Sequence, residues 1–221
     1  MARRNTTIGG FSELWQRHEN LYYGIFANAL RLFKATEEQL KYEDAISEAL
    51  CIVLKEVCFA HPEKPRTPKW EIPIAPAKID ELRGGKIRKR PDFTCSLVNT
   101  LAQDVDMYEI SLHIECKRLG TKVGSWDLNK NYVENGIKRF DSQTHKYGNQ
   151  APSGFMIGYM ISPRKSDILN AVNKHMAALM MTGLYFKFSD KVESCDSIFV
   201  RKFIEPKDFK LTHLWVDLSV K

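Results

Sequence analysis

Two carboxylates and a lysine in Pro91-Asp92 and Glu115-Cys116-Lys117 are the residues of this chain best placed to do chemistry. Over residues 110–116, Ile110, Leu112, Ile114 and Cys116 share one parity, while Glu109, Ser111, His113, Glu115 and Lys117 share the other. That is the two-residue period of a strand with one apolar face and one polar face. Upstream, Phe93, Cys95 and Leu97 alternate with Asp92, Thr94 and Ser96, and Pro91 fits the start or edge of a second strand. If the two strands pair, Asp92 meets Glu115. Two acidic oxygen donors suit Mg²⁺ or Mn²⁺, hard cations that bind carboxylates, carbonyls and water, activate a bound water and stabilise phosphate charge. Lys117, on the same face as Glu115, would orient that water or neutralise the growing negative charge.

In Pro91-Asp92 and Glu115-Cys116-Lys117 the sequence resembles the PD-(D/E)XK nuclease superfamily, with its restriction-endonuclease-like fold. The resemblance implies an α/β fold with a mixed central β-sheet flanked by helices. It also implies that Asp92 and Glu115 bind the metal, that the backbone carbonyl of Cys116 joins them, and that Lys117 assists the attack of water. The connection between the two motifs is long, so a sizeable loop is expected over residues 99–106.

The elements around the motifs can be read in turn. Residues 11–33 carry Leu14, Trp15, Tyr22, Ile25, Phe26, Leu30 and Phe33 near helical spacing, with His18 and Glu19 on the polar face. Thr36 with Gln39 reads as a capping box opening a second helix, with Glu37 and Glu38 at its positive end. An N-terminal helical hairpin results. Ile46, Leu50, Val53, Leu54 and Val57 form the buried stripe of the second helix. Glu43 lies three residues before Ile46 on that stripe, whereas Glu48 turns away from it. Nucleases of the resembled superfamily commonly add a carboxylate from the helix before the sheet, which makes Glu43 the candidate third metal-site acid, beside its plainer reading as a residue near a helix start.

Prolines recur through 61–76 and exclude a helix there, leaving 70–74 as a possible first strand at an edge. Lys86, Arg88, Lys89 and Arg90 run directly into Pro91-Asp92, where a basic segment would hold a phosphate backbone. After Lys117 a helix is expected over 127–147, with Tyr132, Val133, Ile137 and Phe140 inward, Gly136 allowing close packing on the sheet, and Lys130, Lys138 and Arg139 offered to nucleic acid. Within it, Gln143 and Tyr147 would share a face and resemble the Gln-x-x-x-Tyr element of the superfamily's exonuclease branch. Residues 154–161, 197–204 and 211–218 read as strands and 166–181 as a helix, on which His175 reads as structural.

The chain has 221 residues, 43% of them hydrophobic, enough for a single domain: helices over 11–60 and an α/β core over 70–221. Lys+Arg of 33 against Asp+Glu of 27 gives +6, a balance that suits a polyanionic partner. Five scattered cysteines with no Cys-x-x-Cys argue for a reducing compartment and against structural zinc. No apolar run reads as a signal peptide or bilayer span, so a cytoplasmic protein without a membrane partner is expected. The leading expectation is a Mg²⁺-dependent deoxyribonuclease (Mn²⁺ as an alternative metal), an endonuclease of restriction, host defence or DNA repair. A nuclease acting on RNA, and a catalytically silent nucleic-acid-binding subunit, remain open, as do a homodimer and a partner protein.

Overall fold

The computed structural model describes residues 7–74 and 89–219. Lys86 and Arg88 lie outside the described residues. The described residues form one six-stranded mixed sheet with four α-helices. The helices are α1 (Thr7–Leu32), α2 (Glu43–Ala60), α3 (Leu128–Glu134) and α4 (Lys165–Ala178). The strands are β1 (Lys69–Trp70), β2 (Phe93–Val98), β3 (Glu109–Leu119), β4 (Ser153–Met160), β5 (Val192–Val200) and β6 (Asp208–Asp217). Their order is β1-β2-β3-β4-β6-β5. The pairs β3–β4 and β4–β6 are parallel; the other three pairs are antiparallel.

Alternation along the strands divides the core in two. Ile110, Leu112, Ile114 and Cys116 of β3 face α1 and α2, joined by Phe155, Ile157 and Tyr159 of β4. Leu119, Met156, Met160, Leu211 and Trp215 face the opposite way, against Tyr132 and Val133 of α3 and Ile168, Val172 and Met176 of α4. Each fully buried side chain of this size contributes about 1.5–3 kcal/mol by leaving water, so a one-residue slip of β3, which would exchange its two faces, is excluded. The central strands are covered on both sides. His113, Glu115 and Lys117 are therefore as buried as their apolar neighbours.

Several elements differ from their sequence reading. Thr36 and Gln39 do form a reciprocal box, the Thr36 amide donating to Gln39 Oε1 and the Gln39 amide to Thr36 Oγ1. It opens only a single 3-10 turn, Gln39–Lys41; extended Tyr42 follows, and α2 begins at Glu43. The guanidinium of Arg118 donates to the carbonyls of Leu40 (3.3 Å) and Lys41 (2.5 Å), fastening that turn to the end of β3. Helix 127–147 is cut to α3 and a 3-10 turn, Ile137–Asp141, with non-helical chain beyond. Gly136 stands at the break, with φ −114° and ψ −83°, and a Cβ there would meet the Tyr132 carbonyl at 2.3 Å and Met156 Cε at 2.6 Å, so the turn approaches the sheet too closely for a side chain. Strand 70–74 shrinks to β1, which pairs with β2. His18 and Glu19 are not on a solvated face: His18 Nε2 lies 3.0 Å from the Cys95 carbonyl, and Glu19 pairs with Lys210 at 2.5 Å.

Candidate functional site

The β2–β3 register places Phe93 opposite Ile114, so Asp92, one residue before β2, falls beside Glu115. Asp92 Oδ2 accepts the Cys116 amide at 2.6 Å, which locks its carboxylate against the strand. Lys117 Nζ donates to Glu115 Oε1 (2.6 Å), Glu43 Oε1 (2.6 Å) and the Cys116 carbonyl (2.7 Å). Glu43 reaches the cluster because it is the first residue of α2, held at the end of β3 by Arg118. Its second oxygen accepts the Arg118 amide at 3.0 Å. Arg139, from the 3-10 turn, donates to Glu115 Oε1 as well.

Glu115 Oε1 thus has two cationic partners, while its buried Oε2 finds no hydrogen-bond partner among the described residues. A carboxylate oxygen buried without a partner is costly. Burial, and then the charge of Glu115, raise the Asp92 carboxyl well above its usual range, against the pull of Lys117 and the Cys116 amide. Burial likewise raises Glu115, against Lys117 and Arg139. Burial alone would lower the Lys117 ammonium, but Glu115, Asp92 and Glu43 outweigh it and hold it above its ordinary value. Lys117 is therefore a fixed positive charge at neutral pH, a donor and not a base.

This donor set fits a hard divalent cation. Asp92, the orphaned Glu115 oxygen and the Cys116 carbonyl are all oxygen donors, and a cation between the carboxylates would offset their burial and repulsion. Among the described residues no three His, Cys, Asp or Glu side chains gather as a ready-made metal cage. Mg²⁺ is commonly held by one or two carboxylates, with water and phosphate oxygens completing the shell.

A cleft of about 500 Å³ adjoins the cluster through Arg139, and Lys89, Lys138 and Gln143 line it. Arg90 is exposed, and its carbonyl accepts the Tyr147 hydroxyl at 2.6 Å. Lys130 lies on the outer surface of α3, 3.7 Å from Glu134. Gln143 and Tyr147 do not share a helical face: Gln143 is exposed in the cleft, whereas Tyr147 is buried and braces the segment before Asp92. His175 lies 3.8 Å from Asp127.

The contact of Arg139 with Glu115 was not legible in the sequence, where Arg139 is one of several basic residues. Nor was Arg201, which is almost fully buried. Its Nη1 donates to the Phe140 (3.4 Å) and Gly148 (3.0 Å) carbonyls, Nη2 to Ala151 (3.3 Å) and Nε to Pro206 (2.8 Å), and it lies 4.1 Å over the Phe209 ring. This clamp fixes the chain of residues 140–151, from the end of the 3-10 turn onward, which His113 also holds by accepting the Gly148 amide at 2.9 Å. Burial lowers the Arg201 guanidinium to about 10, against the pull of Asp141 and Glu205. A lone arginine near the end of a strand gives no sequence signal of such a role.

No helix among the described residues is long and apolar enough to cross a membrane. Comparison with protein-family models, with curated proteins and with solved structures returns no match.

Proposed function

We propose that this protein is a metal-dependent nuclease of the PD-(D/E)XK kind that hydrolyses phosphodiester bonds in DNA. The observation that carries the reading is the buried Asp92–Glu115 pair, the first just before β2 and the second on β3, with one Glu115 oxygen unpartnered among the described residues and the other held by the Lys117 ammonium. Asp92, Glu115 and the Cys116 carbonyl would hold a Mg²⁺ or Mn²⁺. When bound, such an ion supplies an activated water and neutralises phosphate charge. The remaining work belongs to the chain. Lys117, permanently charged, donates to the water or to an oxygen gaining charge as the bond breaks. Glu43 keeps that ammonium in place, and residues 140–151, held by Arg201 and His113, set Arg139 at the edge of the cluster. Arg139, Lys138 and Lys89 would attract the phosphate backbone.

Incubation of the purified protein with linear DNA, circular DNA and RNA in Mg²⁺, Mn²⁺ or EDTA, alongside Glu115→Ala, tests the reading. Metal-dependent cutting of DNA that the variant lacks is the expected result, and cutting of the circle identifies an endonuclease. Cutting that survives in Glu115→Ala or in EDTA refutes it. Cutting of RNA alone moves the substrate from DNA to RNA. Absence of cutting under every condition favours a binding subunit without chemistry.

A further inference from the structure

We propose that the cleft beside Arg139 takes one unpaired nucleotide of a DNA strand, its base stacked on Phe203 and its phosphate held by Lys138 and Arg139. This rests on the nuclease reading and extends it to the form of the substrate.

Phe203 is 57% exposed, a large apolar ring left open to water. Its backbone is nonetheless fixed. The amides of Lys202 and Phe203 both donate to the Asp141 carboxylate, at 2.9 and 3.0 Å for Lys202 and 2.9 Å for Phe203. Asp141 closes the same 3-10 turn that carries Lys138 and Arg139, so ring and cations are tied to one short segment. A ring whose backbone is already held loses little freedom when a base covers it, and removing both faces from water is favourable.

Three cations, Lys89, Lys138 and Arg139, line the cleft against two acids. Of its two acids, Glu134 lies toward Lys130 (3.7 Å) and Asp141 is occupied by the two amides, whereas Lys89 and Lys138 are exposed. Burial, then Arg139 and Lys89, lower His145 to about 4, which keeps its imidazole neutral near pH 7. Its ring and the hydroxyls of Ser142 and Thr144 are hydrogen-bonded together at the cleft wall as neutral polar groups. A cleft of about 500 Å³ has the size of a small-ligand pocket. Stacked bases in a duplex have their faces covered, so only an unpaired or extruded base can lie on Phe203.

The test is fluorescence anisotropy of the full chain with a labelled oligothymidylate and with a labelled duplex, in EDTA, where binding is read without cleavage. Wild type is expected to bind the single strand more tightly. Phe203→Ala should weaken that binding roughly 5- to 150-fold, the range for loss of one stacked base, while Phe203→Trp retains it and shows quenched indole emission on binding. Equal affinity for the two probes, or Phe203→Ala binding like wild type, overturns the proposal. Metal-dependent cutting measured alongside separates the two readings: cutting without strand selectivity refutes the cleft assignment alone, and selective binding without cutting refutes the nuclease alone.

Discussion

Acid should unfasten the α3 side of the sheet through two buried imidazoles. His213 has no exposed surface; its Nδ1 lies 2.7 Å from the Tyr132 hydroxyl and its Nε2 2.9 Å from Ser197 Oγ, while Trp215 Nε1 donates to the same Tyr132 oxygen at 3.0 Å. Burial lowers His213 to about 3 and His113 to about 4. Unfolding returns each to about 6.5. The unfolded chain therefore binds protons that the folded chain refuses, and stability present above pH 6.5 is lost as pH falls toward those lower values. Each imidazole costs about 1.4 kcal/mol per pH unit across its window. By pH 5 that is about 2 kcal/mol apiece, or about 4 kcal/mol together, a large share of the roughly 5–15 kcal/mol that stabilises a typical protein. Urea unfolding of wild type and His213→Gln at pH 7.5 and pH 5, followed by fluorescence, checks this. The variant starts less stable because Tyr132 and Ser197 lose their partner, but it should lose about 2 kcal/mol less than wild type on acidification, the remaining imidazoles, His113 and His145 among them, titrating alike in both chains. Carboxylates titrate alike in both chains and cancel in the comparison. Equal acid losses in wild type and variant would refute the reasoning.

Saturating Mn²⁺, at about 100 times its Kd, should raise Tm by roughly 5–10 °C; the shift should vanish in Asp92→Asn, and a shift that persists places the metal elsewhere. Lys117→Met strands Glu115 in the core with only Arg139, so it should cost about 3–5 kcal/mol of stability in urea and lower the cleavage rate roughly 100- to 1,000-fold. Glu43→Gln, whose carboxylate is engaged by Lys117 and Arg118, should reduce cleavage while keeping the Mn²⁺ shift; loss of the shift would make Glu43 a metal ligand. Arg201→Met leaves the Phe140, Gly148 and Ala151 carbonyls short of a donor and should cost about 3 kcal/mol, with faster amide exchange over residues 140–151 as the local readout.

Local sequence signals were enough for the central strands and for which of their side chains share a face. Period-two alternation around Asp92 and through Glu115 and Lys117 survives in any packing that buries Ile110, Leu112, Ile114 and Cys116, whereas the register that sets Asp92 beside Glu115 came with the pairing of β2 and β3. The amphipathic stripe of α1 and the apolar run of β4 were legible for the same reason: their signals are local and repeat. Tertiary structure decided what depended on close approach between distant segments. Helical periodicity over 127–147 gave way where Gly136 meets Lys117 and Met156, and Gln143 and Tyr147 parted company as the chain there took its hydrogen bonds from Arg201 and His113. Glu43 entered the cluster because Arg118 fastens the turn before α2, and His18 and Glu19 went under cover because Cys95 and Lys210 offered them partners. Periodicity records which side of an element faces inward, but a polar contact such as Arg139 with Glu115 needs only two side chains to meet, and nothing in their own neighbourhoods in the chain announces it.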